Sequence, residues 1–215
     1  FQTIRTLTTE VAGGYASVIT GGERNTASGG YAWVGGGLFN NANGGRSAVV
    51  NGLGNIASGQ LAFVGNGDQN TASATSAFVG NGGSNVASGS HSFVGNGSAN
   101  TASGDFSFVS SGISNTAPSY GETVMGYYAT TYSPGTNGAT LPNATDRLFS
   151  VGNGTSATRS NALTILKNAN TTIGGTLEIN KNGTNTSYTF PATRGNNGQV
   201  LSTNGVGALS WSTPT

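Results

Sequence analysis

One period governs most of this chain. Asn25, Asn40, Asn55, Asn70, Asn85, Asn100 and Asn115 stand fifteen residues apart without a slip, and one period further back lies Glu10. Residues 10–129 are therefore eight copies of a unit close to N-T-A-S-G-x-x-S-F-V-G-N-G-x-x, with the Asn as position one. Position three is Ala in every copy, from Ala12 to Ala117. Position ten is Ile19 and then Val, from Val34 to Val124. Position thirteen is Gly from Gly22 to Gly112, and Tyr127 breaks the column. A sequence with a short fixed period folds as a stack in which each unit leans on its neighbours. Fifteen residues cannot hold a helix pair. They do hold two short strands, one at S-F-V and a weaker one at T-A-S, with turns at Gly-Asn-Gly. The expected fold is all-β, a parallel β-solenoid or β-roll of eight 15-residue coils. At about 4.8 Å per coil it makes a rod of roughly 38 Å.

Side chains alternate across a strand. Positions eight and ten, small residues and Val, suit the inside of a narrow coil. Position nine then points outward, and it reads Val18, Trp33, Ala48, Phe63, Phe78, Phe93, Phe108 and Thr123. An exposed stripe of Trp33, Phe63, Phe78, Phe93 and Phe108 is unusual for a monomer. Aromatic side chains bury ~150–250 Å² each, so the stripe is expected to meet other copies of the chain. The opposite assignment, with Phe inside and Val outside, would also leave a stripe to cover. The Asn column is expected to be structural, its amides hydrogen-bonding along the rod and to the turns.

Composition narrows the function classes. Only 7% of residues are charged, the net charge is +1, Cys is absent and His91 is the single His. A nucleic-acid binder needs a basic surface, and zinc or disulfide frameworks need Cys. No apolar run reaches the roughly 18 residues of a membrane helix, so membrane insertion is not expected. No signal peptide is visible and the chain starts at Phe1, as a trimmed or processed piece would. One His without Cys makes neither a metal cage nor a Ser–His–Asp triad. The carboxylates Glu10, Glu23, Asp68, Asp105, Glu122, Asp146 and Glu178 show no paired spacing. The Gly-Asn-Gly strings recur as turns with no helix behind them, unlike a phosphate loop. No catalysis, cofactor or metal is expected. Binding groups belong where the repeat is irregular, at positions six and seven: Tyr15, Tyr31, Arg46, Gln60, Leu61, His91, Asp105, Phe106 and Tyr120. Aromatic and planar polar groups of this kind suit sugar stacking and hydrogen bonding. The Tyr127, Tyr128 and Tyr132 cluster reads as a cap on the last coil.

The S-F-V-G-N-G segments at Ser92–Gly97 and their siblings resemble the left-handed β-roll heads of trimeric autotransporter adhesins. The resemblance covers 10–129 and implies a homotrimer displayed outside a cell or on a virion. Before it, 1–9 reads as a lead-in strand. Residues 130–145 read as a Pro/Gly-broken linker, and 146–215 as a β-rich trimeric fibre module. In that last part Y-T-F-P at Tyr188–Pro191, G-Q-V-L-S-T-N-G at Gly198–Gly205 and A-L-S-W at Ala208–Trp211 are similar to C-terminal parts of phage tail fibres. The implied function is a homotrimeric extracellular tail-fibre-like module that attaches to a cell-surface receptor, a glycan by preference. The alternatives are a bacterial surface trimeric adhesin or filament subunit, then an ice-binding solenoid or a capsule depolymerase. Position two is too mixed for an ice-binding array: Val11, Thr26, Asn41, Ile56, Thr71, Val86, Thr101 and Thr116.

Overall fold

The computed structural model describes residues 11–175, 178–180, 187–189, 191, 193–203 and 209–214. The lead-in strand expected over 1–9 and the first repeat position at Glu10 lie outside the described residues, as do Phe190, Asn204, Gly205 and Ala208 of the strings noted above. The chain divides into two compact units, Phe1–Thr172 and Ile173–Thr215.

The first unit contains a parallel β-solenoid. Eight two-residue strands, from Val11–Ala12 to Thr116–Ala117, stack in sequence order into one sheet. The Phe–Val strands, from Val18–Ile19 to Phe108–Val109, stack into the other. The register follows the period, with Val11 against Thr26, Phe78 against Phe93 and Val94 against Val109. A third, thinner ladder runs along position fourteen, bridging Glu23, Leu38, Leu53, Asp68, Gly83, Ser98, Ile113 and Tyr127 in turn. The repeat pattern did not announce this ladder, because position fourteen has no consensus residue.

The interior is made of small side chains. Ala27 to Ala117 at position three and Val34 to Val124 at position ten are fully buried. Position eight fills the remaining space with Ala32, Ala62, Ala77, Ser47, Ser92 and Ser107, each 1% exposed. The Phe column points outward, so the inward assignment of Val holds and the opposite one does not. The hydroxyls of Ser47, Ser92 and Ser107 are buried without a hydrogen-bond partner. An unpaired buried hydroxyl costs about 1–3 kcal/mol. Replacing all three by Ala, the residue already present at Ala62 and Ala77, should therefore raise the melting temperature. A melting curve by circular dichroism that shifts downward would contradict this.

The Gly-Asn-Gly turns carry positive φ at their second Gly, as in Gly67, Gly82 and Gly97, and two further left-handed corners turn each coil. Positions seven and fifteen sit in the left-handed region almost regardless of residue type. Tyr31, Arg46, Leu61, His91 and Phe106 have φ of 57–61°, and Arg24, Phe39, Gln69 and Ala99 have 55–57°. The asparagines of Gly-Asn-Gly have no positive φ; instead Asn66, Asn81 and Asn96 accept the next Gly N–H through Oδ1 at 2.7 Å. At the left-handed corners the amide turns back and donates to the preceding coil, as in His91 to Thr75 O (2.9 Å) and Gln69 to Leu53 O (2.8 Å). Ladder bonding thus continues around the bend, which offsets the cost of the strained backbone. Glycine is required at position thirteen. Gly82 has φ +104°, and a Cβ there would stand 2.0 Å from Gly97 O.

The last coil is one residue short. Gly126 takes the place of position thirteen with φ +93°, and Tyr127 moves to the position-fourteen ladder. The column is therefore continued by Gly126, and Tyr127 does not interrupt it. The Phe–Val sheet then runs past 129. Arg147–Asn153 adds in parallel to Thr123–Tyr127, followed by Asn161–Leu166, antiparallel to it, and Thr171–Ile173. The stretch expected as a linker over 130–145 packs onto the roll, where the backbone N–H groups of Tyr120 and Asp105 donate to Gly138 O and Ala139 O. The first compact unit therefore runs on through the added strands to Thr172.

The second unit contains two antiparallel strand pairs among the described residues, Glu178–Asn180 with Ser187–Thr189 and Val200–Thr203 with Leu209–Ser212. Val200–Thr203 of the string G-Q-V-L-S-T and Leu209–Ser212 form the second pair, in which Leu201 faces Trp211. The indole N–H of Trp211 donates to Thr193 O at 2.7 Å.

Candidate functional surfaces and the buried polar cap

Three arrangements in the first unit carry chemistry. The first is the aromatic column of position nine. Phe63, Phe78 and Phe93 stack with centroids 4.9 and 4.6 Å apart and planes within 11°. The coil spacing sets this distance, since identical side chains one coil apart meet at the β repeat. Each ring folds over position eleven of its own coil, where Gly leaves room. A Cβ on Gly80 would lie 3.5 Å from Phe78 Cε1. Where Ser110 replaces that Gly, Phe108 tilts to 61° against Phe93. Trp33 extends the column at 37% exposure, and Ala48 leaves a gap between it and Phe63. All five aromatic rings face outward along one side of the rod.

The second is the corner row at positions six and seven, which gathers the surface candidates read from the sequence into short clusters. Tyr15 meets Tyr31 edge to face at 5.4 Å, and the Arg46 guanidinium lies 5.8 Å from the Tyr31 ring. Gln60 and Leu61 are exposed beside them along the row. His91 stacks on Phe106 at 4.8 Å with planes 3° apart, and Phe106 meets Tyr120 at 5.4 Å. Asp105 is half-buried and accepts the Ser90 N–H at 2.8 Å, so one of its carboxylate oxygens serves the backbone. His91 thus lies on the outside in a ring stack, with no acid beside it among these contacts.

The third is the polar cap, which sequence reasoning did not single out. Position eight of the last coil is Glu122 where every other copy has Ser or Ala, and this departure was the available signal. Glu122 is fully buried. Its Oε2 accepts from Ser119 N and Oγ, both at 3.2 Å, and from Tyr132 OH at 3.1 Å. Its Oε1 has no partner. The Arg147 guanidinium lies 4.3 Å from the Tyr132 ring and donates to Thr130 O and Oγ1. Lys167 Nζ donates to Ser119 Oγ at 2.7 Å and Arg147 O at 2.6 Å. Asp146, 2% exposed, accepts the Gly135 N–H through Oδ1 at 2.9 Å. Of the expected tyrosine cap, Tyr132 joins this cluster, Tyr128 carries the Arg159 guanidinium at 5.9 Å, and Tyr127 is exposed.

Burial pushes the Glu122 carboxyl up to about 7, against the lowering pull of Ser119, Arg147 and Tyr132. Burial likewise raises the Tyr132 phenol to about 12 and lowers the Lys167 ammonium. The native state therefore holds a proton on Glu122 that the unfolded chain, at 4.5, has released. Stability attributable to this group is complete below pH 4.5 and falls as pH rises to about 7. The full loss is on the order of 3 kcal/mol. Glu122→Gln should flatten the dependence of stability on pH across this window and stabilise the protein at pH 8. Urea titrations at a series of pH values check this, and an unchanged slope would rule it out.

The Asn column forms a continuous hydrogen-bond ladder. Oδ1 of each Asn accepts the next Asn N–H, as from Asn40 to Asn25 and from Asn70 to Asn55, both at 2.9 Å. Nδ2 donates to two carbonyls, for Asn70 those of Asn66 and Gly82 at 3.1 and 2.8 Å. Asn25, Asn40, Asn55, Asn70, Asn85, Asn100 and Asn115 are at most 1% exposed. Ala129 N donates to Asn115 Oδ1 and ends the series. Among the described residues no three His, Asp or Glu side chains group as a metal site, and no helix is long and apolar enough to cross a membrane. No family model matches the chain, and no curated protein matches it significantly.

Proposed function

We propose that this chain is the rod and attachment part of a homotrimeric extracellular fibre or adhesin, which binds a cell-surface glycan and catalyses no reaction. One observation carries the reading: a row of stacked Phe63, Phe78 and Phe93, with Phe108 and Trp33, on one outer side of a rod whose interior is already filled by its own Ala and Val. These rings contribute nothing to the inside of the coil. Covering them with copies of the same chain removes apolar surface from water at about 25 cal/mol per Å². The similarity of the repeats to trimeric adhesin heads, and of the C-terminal strings to tail fibres, supports a copy number of three. It also favours a virion over a bacterial surface as the place of display. A ladder-bonded rod gives reach, and the corner rows give exposed rings and polar groups suited to sugars.

Light scattering on the purified chain tests the assembly. The expected mass is three times 21.3 kDa, and a monomer at micromolar concentration would overturn it. Retention of the labelled protein on intact cells, lost after their surface glycans are oxidised with periodate, tests the attachment.

A further inference from the structure

Where the last coil meets the following loop there is a hollow of about 330 Å³ lined by Tyr120, Gly121, Pro142, Leu148 and Lys167. Its walls are mostly apolar. Leu148 is 46% exposed. Lys167 is the one charged group in the lining. Its ammonium has three N–H donors. Two go to Ser119 Oγ and Arg147 O, and the third has no acceptor among the described residues. The ring row of His91, Phe106 and Tyr120 runs along the rod into the same hollow, with Phe106 52% exposed.

A ligand for this hollow must present an apolar face to Tyr120, Pro142 and Leu148, and an anionic oxygen to Lys167. A pyranose supplies the face through its axial C–H groups, and a ring carboxylate supplies the oxygen. A phosphate group fits less well. It has three strong acceptor oxygens and no apolar face, against one free donor in an apolar wall. We propose that the hollow binds a carboxylated sugar, a uronic acid unit of a surface glycan, with the carboxylate on Lys167 Nζ and the sugar face over Leu148 and Tyr120. This rests on the attachment reading for its choice of a glycan, and it names the subsite.

The test is a titration of the full chain with methyl β-glucuronide and methyl β-glucoside, which differ only at C6, a carboxylate in one and a hydroxymethyl group in the other, followed by NMR. Saturable binding is expected for the glucuronide, with the glucoside at least about ten-fold weaker, as a charge-assisted hydrogen bond implies. Lys167→Gln should abolish the difference between the two sugars. Because Lys167 also braces the cap, Leu148→Ala serves as a second variant. It should weaken both sugars several-fold while leaving the melting curve in place. No saturable glucuronide binding, equal affinity for the two sugars, or affinities unmoved by both variants would each overturn the proposal. The two readings fail separately. A Lys167→Gln protein that adheres to cells as well as the parent removes the subsite and leaves attachment standing. A protein that takes up glucuronide at the hollow but never adheres to cells does the reverse.

Discussion

Replacing Asn70 by Asp destabilises the chain by about 5 kcal/mol at pH 7, although the two side chains have the same shape. Asn70 is fully buried, and its Oδ1 accepts from both Asn85 N and Asn85 Nδ2, at 3.0 and 3.1 Å. An Asp keeps those acceptors. The second oxygen, however, would stand where Nδ2 now donates to Asn66 O and Gly82 O. Two carbonyls lose their donor and face a negative oxygen inside the rod. Each orphaned acceptor costs about 1–3 kcal/mol, and a buried charge costs several more. Protonation restores a single donor, so about half of the loss should return under acidic conditions. Urea denaturation at pH 7 and pH 4 measures both parts. The exposed Ser73, at position four of the same coil, gives the control: Ser73→Asp adds the same charge outside and should change little. If Asn70→Asp and Ser73→Asp unfold alike, the Asn ladder is decoration.

Phe78→Asp together with Phe93→Asp should leave the chain monomeric if, as proposed, the Phe stripe joins three copies. Both rings lie on the outer side of their strands, half-exposed, while Val79 and Val94 behind them fill the coil. Losing the Phe78–Phe93 stack costs the isolated coil about 0.5–1.5 kcal/mol. In an assembly that buries the stripe, six carboxylates would be confined to one axis without partners. That penalty is several kcal/mol per charge and exceeds what the remaining aromatics return. Light scattering should fall to the monomer mass with the circular dichroism spectrum of the roll retained. Phe78→Ser with Phe93→Ser separates lost area from added charge and should weaken the assembly by less. A trimer that survives both pairs would mean the stripe faces something other than a second copy.

Side-chain volume and alternation made much of this fold legible. Ala at position three and Val at position ten leave no choice about which side of the strand faces a narrow interior. Asn at a fixed period is what a stacked hydrogen-bond ladder needs. The corners were not legible, because left-handed φ at Tyr31, Arg46 or Phe106 contradicts local preference and is imposed by neighbouring coils. One omitted residue before Gly126 leaves the preceding columns intact, so at a fixed period of fifteen Tyr127 reads as a break in the Gly column. The cap was hidden for another reason. Glu122, Tyr132, Arg147 and Lys167 are distant in sequence, and only the return of 130–146 onto the roll assembles them. Single-position variation in a repeat, such as Glu122 in a Ser/Ala column, was the one trace it left.

The left-handed corners separate conformation from identity. Their backbone is held by amides bonded to adjacent coils, so Arg, Leu, Ser, His and Phe occupy position seven with φ differing by only a few degrees. Such a row is a ruled line of interchangeable pegs at one-coil intervals. Any peg can be exchanged without touching the Ala and Val interior or the Asn ladder. The outer face of such a rod is a script that can be rewritten letter by letter while the spine stays as it is.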